Sequence, residues 1–162
     1  MAQDFSSQEI ANRLAILDIY ARYVFAVDDS DFDELDKLFT PDSTIDWTSA
    51  GAIKVDYKTA KEIISNNNKN YISFCHMTTN HRIKFNDDQT SAKVKSKTFH
   101  PVLMADKDGN ITITQVLGGY EDDLIKTPEG WRIKARVWFN NWASYGQNLL
   151  DDKDKPMDVG EH

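Results

Sequence analysis

The chain is poor in residues that would staple it, punctuate it or anchor it in a membrane: its 162 residues hold one cysteine, four prolines and seven glycines. The lone Cys75 excludes an internal disulfide framework and a cysteine-based zinc site, and it suits a reducing compartment. Apolar runs stop at a handful of residues, far short of the roughly 20 that span a bilayer. The stretch Met1 to Glu9 is polar and acidic, where a signal peptide would be basic and then apolar. Basic charge is short as well. With 19 Lys+Arg against 26 Asp+Glu, a net charge of -7 leaves no cationic face for nucleic acid. These absences predict a soluble, cytoplasmic protein with neither nucleic acid nor membrane as a partner.

What is present suffices for a packed core, since 40% of the residues are hydrophobic and 11% aromatic. The length fits one domain, expected over residues 1–150, followed by a flexible, charged tail over 151–162 that contains Pro156.

The first third reads as helical. From Ser7 to Val27, Ile10, Leu14, Leu17, Ala21 and Val24 fall at three-to-four spacing and predict a buried face. Ser30 is expected to cap a second helix over Asp31–Phe39, with Asp33 in the capping-box position, and Thr40-Pro41-Asp42 to stop it. A short strand follows at Thr44–Trp47, then a third helix from Lys58 to about Asn68. The rest reads as long strands: Tyr71–Phe85, Ala92–Val102, Ile111–Asp123 and Trp131–Trp142, parted by turns at Asn86-Asp87-Asp88, Asp108-Gly109 and Thr127–Gly130. In the second of these Lys93, Lys95 and Lys97 point one way and Val94, Ser96, Thr98, His100 and Val102 the other. Helices first and antiparallel strands after is an α+β pattern. Three N-terminal helices packed in a strongly curved, mostly antiparallel sheet make an open cone with an internal pocket.

Three residues stand out chemically. Asp28 prolongs the apolar stripe of the first helix, which aims a carboxylate inward; it also reads as part of an acidic turn with Asp29 and Asp31. His76 shares a strand face with Phe74 and Thr78, and an imidazole held there by a carboxylate would be a base; alone, it reads equally as a core histidine. His81, at odd spacing from His76, is expected on the other face. His100 sits among Ser96, Thr98 and Val102, a mixed face that suits a pocket wall, or else it is half exposed before Pro101. Asp28, His76 and His100 could also form an iron(II) facial triad, although no close ligand spacing points to one. Tyr23, Trp47 and Tyr120 lie near the expected mouth, and Gly118-Gly119 reads as a sheet-bending bulge.

The run from Gly118-Gly119-Tyr120-Glu121 through Thr127-Pro128-Glu129-Gly130-Trp131-Arg132-Ile133 resembles the closing hairpin of SnoaL-like proteins, in the nuclear-transport-factor-two-like superfamily. His76–His81 and Val27–Leu35 fit the same family, and the resemblance spans about Ile10 to Trp142. It implies a cone with an Asp/His dyad at its floor, as in scytalone dehydratase and hexachlorocyclohexane dehydrochlorinase, with Asp28 and His76 at the dyad positions and His100 as a second pocket histidine. An arginine of the dehydrochlorinase matches Arg136. The tyrosines that hold the dehydratase's water match Val27 and Trp47, and the dehydrochlorinase's first-helix lysine matches Tyr23, so the resemblance carries a base and its acid without the substrate-specific shell. The site so expected has Asp28, His76 and His100 as catalytic groups. Tyr23, Val27, Trp47, Tyr120, Arg136 and the strand neighbours Phe74 and Thr98 surround the substrate. The activity implied is a lyase or isomerase, dehydratase-like, with no cofactor and no metal, acting on a small apolar cyclic or polyketide-like molecule. The protein would be a homodimer or homotrimer. The alternative is a non-catalytic ligand-binding or structural subunit, resembling the β subunits of ring-hydroxylating dioxygenases.

Overall fold

Ser6 opens the first helix, α1 (Ser7–Asp28), its hydroxyl accepting the Glu9 N–H at 3.1 Å. In this computed structural model, which describes residues 4–148, α1 buries Ile16, Ile19, Tyr20, Tyr23, Ala26 and Val27. That is not the face the spacing predicted: Ile10, Leu14 and Leu17 are exposed, Leu14 by 62%. The helix carries two apolar stripes, and the tyrosine-bearing one wins because the Tyr20 hydroxyl donates to the buried Asp122 carboxylate at 2.6 Å. The expected tail over 151–162 lies outside the described residues.

Helix α2 (Phe32–Asp36) is one turn long and capped by Asp31, whose carboxylate accepts the Glu34 N–H at 3.0 Å. Ser30 is not the cap; it takes a left-handed turn at φ 57. The expected helix end at Phe39 is instead the start of strand β1 (Phe39–Asp46). Pro41 is accommodated there because the ladder slips between Phe39 and Thr44, where no N–H is required. A 3-10 turn over Thr48–Ala50 and strand β2 (Lys54–Asp56) lead to α3 (Tyr57–Asn68), capped by Asp56.

The expected Tyr71–Phe85 strand is split into β3 (Ser73–Phe74) and β4 (Met77–Phe85), both paired with β5 (Ser91–Ala105). Strands β6 (Ile111–Thr127) and β7 (Gly130–Asn148) complete a seven-stranded sheet. Its order is β2-β1-β7-β6-β5-β3, with β4 also on β5; β1 and β7 run parallel and the other pairs antiparallel. The architecture is therefore α+β, with N-terminal helices packed on a curved, open sheet.

Curvature comes from three register shifts between β6 and β7, one of them at Leu117/Gly118. A Cβ on Gly118 would lie 2.1 Å from the Phe139 carbonyl oxygen, so only glycine permits this approach. The core gathers at one end of the sheet, where Val94, Leu124, Trp131 and Ile133 meet Ile16, Tyr20 and Leu35. Fully burying side chains of this size contributes roughly 1.5–3 kcal/mol each. The other end is hollow.

Candidate active site

The hollow is a cavity of about 490 Å³ between α1, α3 and the inner face of β5, β6 and β7. A groove of about 560 Å³ beside α3 is larger, but it is lined by Lys58, Lys61 and Lys69 and holds no histidine. The cavity wall is mostly apolar and aromatic. Among the described residues no lysine, arginine or carboxylate lines it.

Asp28 is the last residue of α1, where a negative charge meets the carbonyl end of the helix dipole and no basic residue in the last turn compensates. His76 supplies the compensation. Its backbone N–H donates to Asp28 Oδ2 at 2.8 Å, and its Nδ1 lies 2.6 Å from Oδ1. Both side chains are about one-fifth exposed. An ionised Asp28 fixes the proton on Nδ1 and leaves Nε2 as the nitrogen available to the cavity, which His76 lines. The same contact argues against an iron triad, because the nearer imidazole nitrogen is spent on the carboxylate. No group of three or more His, Cys, Asp or Glu placed to hold a metal occurs among the described residues.

His100 stands beside the dyad, its ring 4.9 Å from that of His76 and 5.7 Å from that of Trp138. Burial, reinforced by the neighbouring His76, pushes its imidazole down to about 4. It is therefore neutral near pH 7 and acts as a hydrogen-bonding group, not as an imidazolium acid. Its Nδ1 is buried without a partner among the described residues, so the other nitrogen is the one a ligand can reach.

Of the expected lining residues, Tyr23, Val27, Trp47 and Tyr120 do face the cavity. Phe74 does not; it lies edge-on against His76, with ring centroids 6.1 Å apart. Thr98 is buried in the wall behind it. Arg136 is also absent from this wall. It is 2% exposed, and its Nε and Nη2 donate to Asp122 at 2.9 and 2.8 Å. Its guanidinium lies 4.2 Å from the Tyr23 ring centroid and 3.9 Å from that of Tyr120, so it supports two lining tyrosines from behind. His81 is on the inner side, against Tyr20 at 4.4 Å, contrary to the alternation. Asn80, at φ 55, takes up an extra residue where the β4–β5 register shifts and so resets which side chains face inward.

Val102, expected on the His100 face, does line the cavity, while sequence reasoning passed over the α3 contribution, Ile63, Ile64 and Asn67, and the strand positions Met104 and Asn140. Met104 shares His100's parity on β5 and was detectable on that ground. Asn140 lies beyond the Leu117/Gly118 register shift, and nothing local marks it.

The family model described as a SnoaL-like domain matches residues 8–137. An uncharacterised protein of Mycobacterium tuberculosis is 34% identical over 132 residues, covering 82% of this chain and 87% of its own. Among solved structures, a protein of Novosphingobium aromaticivorans assigned as an aromatic ring hydroxylase is 26% identical, with a TM-score of 0.73 over 84% of this chain and 94% of that one. A protein of the same organism assigned as a scytalone dehydratase is 17% identical, with a TM-score of 0.76 over 97% of this chain and 100% of that one. A hexachlorocyclohexane dehydrochlorinase of Novosphingobium barchaimii is also 17% identical, with a TM-score of 0.69 over 88% and 96%. At 17% identity the likeness is one of fold.

Proposed function

This chain belongs to the SnoaL-like family, and from that premise we propose that it is a cofactor-independent lyase or isomerase, dehydratase-like, working in the cytoplasm on a small, neutral, cyclic or polyketide-like molecule. The observation that carries the reading is the 2.6 Å contact between Asp28 and His76 at the wall of a mostly apolar cavity. The cavity volume falls within the ordinary range for small-molecule sites, and its lack of cationic lining favours an uncharged guest.

In the proposed reaction His76 Nε2 takes a proton from an acidic C–H of the substrate, and Asp28 stabilises the imidazolium that forms. The electron pair released moves toward an adjacent carbonyl. His100 and the Tyr23 hydroxyl donate hydrogen bonds to the oxygen on which charge develops. Returning the same proton to a β-hydroxyl expels water and leaves a C=C bond, while returning it to another carbon gives an isomer. Tyr120 is the lesser donor, since burial holds its phenol well above the usual range and places it in the core.

A second reading, a non-catalytic binding or structural subunit like those of ring-hydroxylating dioxygenases, draws support from the likeness to the ring hydroxylase assignment. Incubating the protein with a panel of bicyclic β-hydroxyketones and following loss of water by mass separates the two. Turnover by the wild type that vanishes in a folded His76→Ala variant supports the lyase. Binding without turnover in both supports the subunit.

A further inference from the structure

The inner face of the sheet gathers polar atoms that the chain does not pair. Seven side-chain atoms are buried with no hydrogen-bond partner among the described residues, and four of them cluster around Gly118. Thr98 and Asn140 are the cross-strand neighbours of Gly118, on β5 and β7, so their orphaned Oγ1 and Oδ1 flank a position without a side chain. On the concave face of a curved sheet, groups from β5 and β7 converge over β6. Trp138 folds its indole across the same place, with its Nε1 3.3 Å from where a Gly118 Cβ would stand. His100, two residues after Thr98, brings its ring to 5.7 Å from that of Trp138 and keeps its Nδ1 on the buried side. An unbonded buried polar group costs about 1–3 kcal/mol, so four at one spot point to a partner that meets all of them.

The donors and acceptors match one small molecule. The Trp138 indole N–H only donates, and the Thr98 hydroxyl proton finds no acceptor among the described residues. A water molecule has two lone pairs to receive these two protons. Its own two hydrogens are then left for Asn140 Oδ1 and for His100 Nδ1. Bonds of about 2.8 Å to a shared water join atoms about 4.5 Å apart, close to the spacing of neighbouring strands. His100 is neutral near pH 7 and carries one ring proton, so a nitrogen that accepts sends that proton to the other.

We propose that one ordered water, held over Gly118 by Thr98, Trp138 and Asn140, donates to His100 Nδ1 and fixes the His100 proton on Nε2, the nitrogen that faces the cavity. Trp138 and Thr98 are then positioning residues, because together they fill the water's lone pairs and deny them to an Nδ1–H. The consequence is two unlike imidazoles. Asp28 holds the His76 proton on Nδ1 and leaves its Nε2 a lone pair, while the water leaves His100 an Nε2–H. With the rings 4.9 Å apart, the cavity meets an acceptor and a donor side by side, which suits taking a proton from carbon while binding the adjacent oxygen. That use rests on the lyase reading; the water and the tautomer do not.

Nitrogen NMR of the isotope-labelled full chain, without substrate, tests the proposal, the His100 ring signals being identified by their loss in His100→Phe. In the wild type Nδ1 should resonate as a bare ring nitrogen and Nε2 as a protonated one, and the Trp138 indole proton should show a nuclear Overhauser contact to a long-lived water. Thr98→Val and Trp138→Phe each free a lone pair, and each should lower the ratio of Nε2–H to Nδ1–H forms by roughly 3–10-fold, the worth of one hydrogen bond. Thr98→Ser keeps the hydroxyl and should keep the wild-type ratio. If Trp138→Phe does not fold, the isosteric Thr98→Val and its serine counterpart carry the test. A wild-type proton on Nδ1, a missing water contact, or a ratio indifferent to Thr98→Val overturns the proposal. So does a Thr98→Ser variant shifted as far as Thr98→Val, which would trace the effect to packing. Since no turnover is measured, the proposal and the lyase reading fail separately.

Discussion

The carboxylate of Asp28 holds His76 at two places, accepting the backbone N–H at Oδ2 and meeting the ring Nδ1 at Oδ1. The first contact fixes where the chain lies between β3 and β4, and the second fixes the rotation and tautomer of the ring. Position and protonation of the proposed base are therefore set by one side chain.

Asp28→Asn separates those two roles. The amide oxygen can still accept the backbone N–H, but an amide N–H facing Nδ1 moves the ring proton to Nε2 and removes the base. kcat/KM should fall by about 10²–10⁴-fold, with the melting temperature nearly unchanged. A variant that keeps near wild-type kcat/KM would show that the tautomer is irrelevant.

His100 predicts a pH dependence of stability. Its folded value of about 4 lies below its ordinary 6.5, so between those values the unfolded chain binds a proton that the folded chain does not. The stability contribution is whole above pH 6.5 and is lost as pH falls toward 4, on the order of 2–4 kcal/mol in total. Urea unfolding at pH 7 and pH 4.5 should show this loss in the wild type and a smaller one in His100→Phe. His81, also lowered by burial, adds a loss of the same sign in both proteins, so the difference between them isolates His100.

Arg136 and Asp122 form a buried pair, 2% exposed each, with Tyr20 donating to the same carboxylate. Arg136→Met strands a buried carboxylate and should cost about 3–5 kcal/mol by denaturant titration. Adding Asp122→Leu should restore much of that, because the pair's desolvation cost then disappears as well. A double variant no more stable than the single would mean that the ion pair itself stabilises the fold.

Gly118→Ala brings a methyl group to within 2.1 Å of a backbone oxygen, which no side-chain rotation relieves. Thermal unfolding should report a loss of about 1–3 kcal/mol. No loss would show that β6 and β7 can separate locally at this point.

The helix order, the long strands and the inward His76 were legible because each depends on spacing within a single element, whereas Asp28 was aimed inward by a stripe that the structure leaves exposed. What was illegible depended on partners remote in sequence. The buried side of α1 was decided by Asp122, 102 residues from Tyr20. Ile133 and Arg136 both point inward because a register shift at Asp123/Leu124 falls between them, which strict alternation does not foresee. Asn80 did the same to His81. A bulge of one residue inverts every parity argument beyond it; Lys134 is not a residue type that announces one, and Asn80 signals only that a left-handed turn is tolerated there.

Cohesion and selectivity occupy opposite ends of this molecule. Trp131 and Ile133 belong to the filled core and Val102, Met104 and Val116 line the cavity outside it, the two regions meeting at Tyr23, Val27 and Tyr120. Exchanges at those three positions can recontour the guest's surroundings while folding proceeds undisturbed. Descendants of such a chain are thus free to acquire new preferences one substitution at a time, with the proton-handling pair inherited intact.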